Sequence, residues 1–210
     1  AERGVEGPRL DAEVLLAEAC ECARIDLYAR FNDPASDTVR AAFRELVRRR
    51  AEGTPVAYLV GYREFYSMPF RVTPDVLIPR PETELAVVAV LDCLKEHAKE
   101  KGCSKATSSI EQSKQPLARV ADVGTGSGAI AVAVAKHFPG AEVTAIDCSA
   151  KSLEIAAANA RSHDVVERVQ FVESDLFAAI SASDRFEVVV SNPPYTNPAR
   201  RSLPESAARK

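Results

Sequence analysis

Residues 118–191 alternate between short apolar runs and helix-forming stretches, and this alternation limits the fold more than any other feature. Residues 118–123 read as a strand, followed by Gly124-Thr125-Gly126-Ser127-Gly128 and a helix from Ala129 to about Phe138. Residues 141–147 form the next expected strand, and Ser149 supplies an N-cap for a helix over 150–162. Residues 168–173 give a third strand, followed by Ser174-Asp175-Leu176-Phe177 and a short helix. The fourth strand, 186–191, has no helical period and reads as buried. Strands that alternate with helices predict an α/β fold with a parallel sheet and right-handed crossovers.

The front of the chain has a different pattern. Residues 8–24 predict a helix on which Leu10, Val14 and Ala17 follow one line. Ser36 caps a second helix that carries Val39, Phe43, Leu46 and Val47, and Gly53 closes it. A short helical turn follows Pro55 and ends at Gly61. The expected organisation is a helical substrate-recognition module over 1–62, a β-hairpin linker over 63–80 and an α/β domain over 81–210. Pro81, Glu82 and Glu84 mark a helix start, continued by Leu85, Val88, Leu91 and Leu94. Arg80, Glu82 and Thr83 are polar groups held beside it, and a structural helix start is the favoured reading for them. Residues 99–115 are polar and read as a linker.

Charge and cysteine usage exclude several classes. A net charge of −3 argues against direct nucleic-acid binding, which favours a basic face. Five cysteines without a CxxC spacing, and three histidines without ligand spacing, predict no metal site. Cys20 and Cys148 lie in apolar contexts and read as buried thiols. No secretory or membrane-spanning run occurs, so the cytoplasm is the expected compartment; a monomer is expected as well. The chain starts at Ala1 rather than Met and reads as a fragment.

The glycine cluster follows a strand and opens a helix, the context in which such a motif carries weight. Asp147 ends the next strand nineteen residues after Gly128, where a carboxylate can accept two ribose hydroxyls. The third glycine falls one residue early for the dinucleotide pattern, whose pyrophosphate sits on a helix N-terminus. A sulfonium cofactor has no phosphate, and G-x-G-x-G in this context is the form methyltransferases use. Asp175 offers an acceptor for an adenine amino group and Leu176 a packing surface for the ring; both read equally well as loop residues.

Asn192-Pro193-Pro194-Tyr195 follows the fourth strand. Each proline removes a backbone donor and holds the preceding residue extended. The Asn192 amide oxygen and the Pro193 carbonyl can each accept one N–H of a planar amide, while Tyr195 covers its face. The competing reading is a proline-rich turn.

These runs, IPRPETE, DVGTGSGAIA, AID, SDLF and VSNPPY, together with the front stretches PRLDAEVLLA and PVAYLVGYREFYSMPFRV, resemble the release factor glutamine methyltransferases. The resemblance implies a Rossmann-like class I methyltransferase sheet, here cut after its fourth strand. It also implies methyl transfer from S-adenosylmethionine to the Gly-Gly-Gln glutamine of peptide chain release factors. By resemblance, Gly124, Thr125, Gly126, Ser127, Gly128, Asp147, Leu176 and Asn192 contact the cofactor. Asn192, Pro193, Pro194 and Tyr195 hold the glutamine, with Asn192, Pro193 and Tyr195 in catalytic roles. NPPY is shared with DNA adenine methyltransferases. The alternatives are therefore an adenine N6 nucleic-acid methyltransferase and a non-catalytic fragment that keeps release-factor binding.

Overall fold

The computed structural model describes residues 7–101 and 116–193. They fall into two compact units, one ending at Gly61 and one starting at Tyr62.

The first unit is helical. Helix α1 (Pro8–Ala19) buries Leu15 and Ala17, whereas Leu10 is exposed, contrary to its expected place on the apolar line. The helix stops five residues before the expected end. Glu21 turns into the left-handed region, its N–H bonds to the Glu18 carbonyl, and the Cys22 N–H reaches back to Ala17. This closing pattern satisfies the last carbonyls and ends the helix. A four-residue helix, α2 (Asp26–Ala29), follows and was not expected. Helix α3 (Asp37–Ala51) is capped by Ser36, whose hydroxyl accepts from the Val39 N–H at 3.2 Å. Helix α4 (Val56–Val60) ends on Gly61 at φ 79°.

The second unit opens with a hairpin, β1 (Tyr62–Phe65) and β2 (Met68–Arg71), paired antiparallel. Tyr66 and Ser67 both have positive φ, the geometry of a two-residue primed turn. Phe65, Met68 and Phe70 enter the main core of this unit. A 3₁₀ turn over Pro81–Thr83 leads into α5 (Glu84–Glu100). Its buried line is Val87, Val90, Leu91, Leu94 and Ala98, while Leu85 is 73% exposed and Val88 is also exposed. The expected helix is present and Leu91 and Leu94 are buried as expected, but in its first two turns Val87 faces the core in place of Leu85 and Val88. Within the expected linker, Lys99 and Glu100 are helical and 102–115 lie outside the described residues.

The sheet has the order β5-β4-β3-β6, all parallel, as the alternation predicted. Its strands are β3 (Ala118–Val123), β4 (Ala141–Asp147), β5 (Val169–Glu173) and β6 (Val188–Ser191). Helices α6 (Ala129–His137) and α7 (Ala150–Ser162) complete the βαβ units. On one face Val120, Val143, Ala145, Val169, Val188 and Val190 share a core with α5 and α6. On the other, Ala121, Val123 and Ile146 are packed only by Val172, Ile180 and Phe186 among the described residues. Helix α6 is apolar on every side and is buried from Ala129 to Ala135.

Three expectations need correction here. Strand β6 starts at Val188, is the outer strand among the described residues and leaves Val189 55% exposed, so it is not the buried strand expected. Residues 176–179 are turns, not a helix. The Ser174 hydroxyl accepts the Ala179 N–H at 2.9 Å, a local bond that competes with helical pairing. Cys148 is exposed, because it lies in the loop after β4 rather than inside the strand.

Candidate functional site

The site begins with the turn after β3. Gly124, Gly126 and Gly128 have φ of 75°, 56° and 78°, a region that side chains rarely tolerate. The amides of Gly124 and Thr125 both donate to the Ile146 carbonyl, at 2.8 and 3.0 Å, which holds the turn over the end of β4. The Gly128 N–H closes it onto the Thr125 carbonyl at 2.9 Å. A Cβ at Gly128 would lie 2.9 Å from the Ala156 Cβ, so this glycine lets α6 and α7 approach closely. A Cβ at Gly124 or Gly126 would meet nothing within 4 Å. The first two glycines therefore border open space, and the third serves packing.

Asp147 ends β4 and is half-buried. Its Oδ2 accepts from the Gly126 N–H at 2.9 Å and its Oδ1 from the Ser149 N–H at 3.0 Å. Each carboxylate oxygen has a second lone pair, so the group can still accept from a ligand. Its carbonyl accepts the Ser174 N–H at 2.9 Å, which holds the loop carrying Asp175 and Leu176 beside it. Asp175 is exposed; Leu176 is 65% exposed at φ 50°. Thr125 and Ser127 are buried.

Asn192 reaches the same end of the sheet through strand register. Ser191 lies opposite Val123 in the parallel pair, so Asn192 and Gly124 leave the sheet side by side. The Ser191 hydroxyl donates to the Val123 carbonyl at 2.8 Å and pins this register. The Asn192 Nδ2 donates to the Thr83 Oγ1 at 2.6 Å. Pro193 is exposed; Pro194 and Tyr195 lie outside the described residues.

Sequence reasoning passed over two buried groups that support this site. Asp122 is buried in β3, and its Oδ2 accepts the Thr125 hydroxyl at 2.7 Å and the Ala131 N–H at 3.1 Å. Burial pushes its carboxyl up to about 6, the nearby Asp147 charge adds to this, and the two hydrogen bonds oppose it. Asn159 on α7 accepts the Arg71 N–H at 2.7 Å, and its Nδ2 donates to the Arg71 carbonyl at 3.1 Å and to the Ser127 carbonyl at 2.8 Å. One side chain thus ties the hairpin to the glycine turn. The signals were available: Asp122 alternates in phase with Val120, and Asn159 falls on the helical line of Ser152 and Ala156.

A cavity of about 430 Å³ lies elsewhere, lined by Arg119, Glu142, Thr144, Gln170 and Phe186 among others. Phe186 precedes β6, and Arg119, Glu142, Thr144 and Gln170 lie in the N-terminal half or the middle of their strands. Parallel sheets bind ligands beyond the strand C-termini, so the glycine end is the candidate site despite the hollow at the other end.

Comparison with known proteins bears on the same residues. Residues 1–61 match the model described as PrmC N-terminal domain, and residues 104–205 match the methyltransferase small domain. A release factor glutamine methyltransferase of Chlorobaculum tepidum is 40% identical over 213 residues, covering 100% of this chain and 68% of its own length. The chain belongs to the release factor glutamine methyltransferase family. A family member from Rhodopirellula baltica is 48% identical over 194 residues, or 92% of this chain and 61% of the relative. The chain thus spans about three-fifths to two-thirds of the length of these relatives. A solved SAM-dependent methyltransferase from Agrobacterium tumefaciens overlaps partially, with a TM-score of 0.45 at 16% identity, over 63% of this chain and 39% of its own.

Proposed function

We propose that this chain carries the methyl-transfer site of a release factor glutamine methyltransferase, modifying the side-chain amide nitrogen of the Gly-Gly-Gln glutamine. The observation that carries the reading is the β3–β6 register, by which Asn192 emerges beside Gly124. A planar amide held at Asn192 then faces whatever rests on the glycine turn.

The residues present suit S-adenosylmethionine. The backbone at Gly124 and Gly126 borders open space, where a bulky group can approach the main chain. Asp147 keeps lone pairs for ribose hydroxyls, and exposed Leu176 and Asp175 stand ready for an adenine ring and its amino group. When bound, this cofactor supplies a methyl carbon activated by a sulfonium.

The chain's own part is positioning and charge stabilisation. An amide nitrogen is a poor nucleophile because its lone pair is delocalised. The Asn192 Oδ1 and the Pro193 carbonyl accept its two N–H groups and aim the nitrogen. As that nitrogen becomes tetrahedral and positive, both acceptors hold it more tightly, which lowers the barrier selectively. Tyr195 is assigned the amide's face on sequence grounds. The leftover proton passes to solvent.

Mass spectrometry tests this reading. A peptide chain release factor incubated with S-adenosylmethionine and this protein should gain one methyl, located by fragmentation on the Gly-Gly-Gln glutamine. An unmodified factor, or methyl transfer only to adenine in DNA added to the same reaction, contradicts it.

A further inference from the structure

We propose that Thr83 is a positioning residue that fixes which way the Asn192 side-chain amide faces. The inference rests on the function proposed above. Thr83 occupies the N-cap position of α5, where a threonine hydroxyl ordinarily accepts from a backbone N–H of the first turn. Here it makes no such cap bond. Its Oγ1 instead accepts from the Asn192 Nδ2 at 2.6 Å, across 109 residues of sequence. The hydroxyl at this helix start thus contacts the candidate catalytic amide instead of capping the helix.

The consequence follows from amide geometry. Nδ2 and Oδ1 lie on opposite sides of one planar group. With Nδ2 held at Thr83, Oδ1 is the side turned away, and it is the side an incoming N–H needs. The reversed amide would present its NH2 to the substrate NH2, donor against donor. With Thr83 Oγ1 accepting from Nδ2, the amide stands in the productive orientation before substrate arrives.

The platform under Thr83 is held from both directions. Pro81 starts the 3₁₀ turn, and the Thr83 N–H closes it onto the Arg80 carbonyl at 3.0 Å. The next residue, Glu84, accepts the Tyr66 N–H at 2.9 Å, which ties the start of α5 to the hairpin turn. A β-branched side chain on such a base has few rotamers available.

The test compares Thr83→Val, which keeps the shape and loses the hydroxyl, with Thr83→Ser, which keeps the hydroxyl. Thr83→Val should lower kcat for release-factor methylation by about tenfold, because the Asn192 N–H loses its partner and the amide no longer prefers one face. KM for the release factor and calorimetric affinity for S-adenosylmethionine should stay within about twofold, since the acceptors act mainly in the transition state. Thr83→Ser should recover most of kcat. Wild-type kcat in Thr83→Val, or equal losses in both variants, overturns the proposal. If Thr83→Val fails to fold, Thr83→Ala against Thr83→Ser gives the same comparison.

Side-chain amide NMR of ¹⁵N-asparagine-labelled protein reads the contact without turnover. The Asn192 Nδ2 signals should move in Thr83→Val and return in Thr83→Ser. Unmoved signals overturn the proposal even if the wild type is active. Moved signals with an inactive wild type retain the Thr83 contact and sink the methyl-transfer reading instead.

Discussion

Asp122 puts an ionisable group where apolar side chains surround it, and its charge opposes folding. Its carboxyl rises from the ordinary 3.8 to about 6 in the folded chain, with burial as the main cause. The folded state therefore holds this proton more tightly than the unfolded state. The stability it contributes is fully present below pH 4 and is lost as pH rises through about 6, a change of roughly 3 kcal/mol. Asp122→Asn should remove that slope, so urea unfolding from pH 4 to 7 should show the wild type losing stability relative to the variant. The glycines make a second contrast. Gly128→Ala combines positive φ with a clash against Ala156 and should cost at least about 2 kcal/mol. Gly124→Ala meets no clash and should cost about 1 kcal/mol from φ alone. Its methyl enters the open space, so calorimetric affinity for S-adenosylmethionine should fall by more than about tenfold. Asp147, the glycines and Asn192 were legible because each stands at a fixed offset from a strand end. The partners of Thr83 and Asn159 were not, because they lie 109 and 88 residues away and only the packed chain brings them together.

At the scale of elements, strands β3 and β4 were readable to the residue because apolar runs ended at turn chemistry on both sides. The hairpin was readable as well, but the strain in its turn was not. Tyr66 and Ser67 hold φ of 52° and 57°, where glycine is at ease and other residues are not. Tyr66 is committed to an edge-on contact with the His137 ring at 4.8 Å, whereas Ser67 is exposed. Ser67→Gly should therefore raise unfolding stability by about 0.5 kcal/mol, the relief of left-handed strain less the entropy that glycine adds to the unfolded chain. Helix α5 shows where periodicity misleads. Its apolar residues are numerous enough to draw two faces, and only contact with the sheet selects Val87, Val90 and Leu94 over Leu85 and Val88.

Across the described molecule, the layout around the sheet explains why the site lies where it does. All four strands run parallel, so each delivers the loop that follows it to the same end, while α5, α6 and α7 pack against one face. The glycine turn, Asp147, the Asp175–Leu176 loop and Asn192 follow β3, β4, β5 and β6 in turn, and the start of α5 adds Thr83. The alternation of strands and helices announced this convergence; strand order and register supplied the neighbours. The central claim is that Asn192 works on the reacting nitrogen rather than on cofactor binding. The most direct measurement is the single-turnover rate of release-factor methylation by Asn192→Ala at saturating S-adenosylmethionine. A fall of about a hundredfold or more is predicted, the scale of a lost transition-state hydrogen bond. A rate within about tenfold of the wild type would contradict the claim.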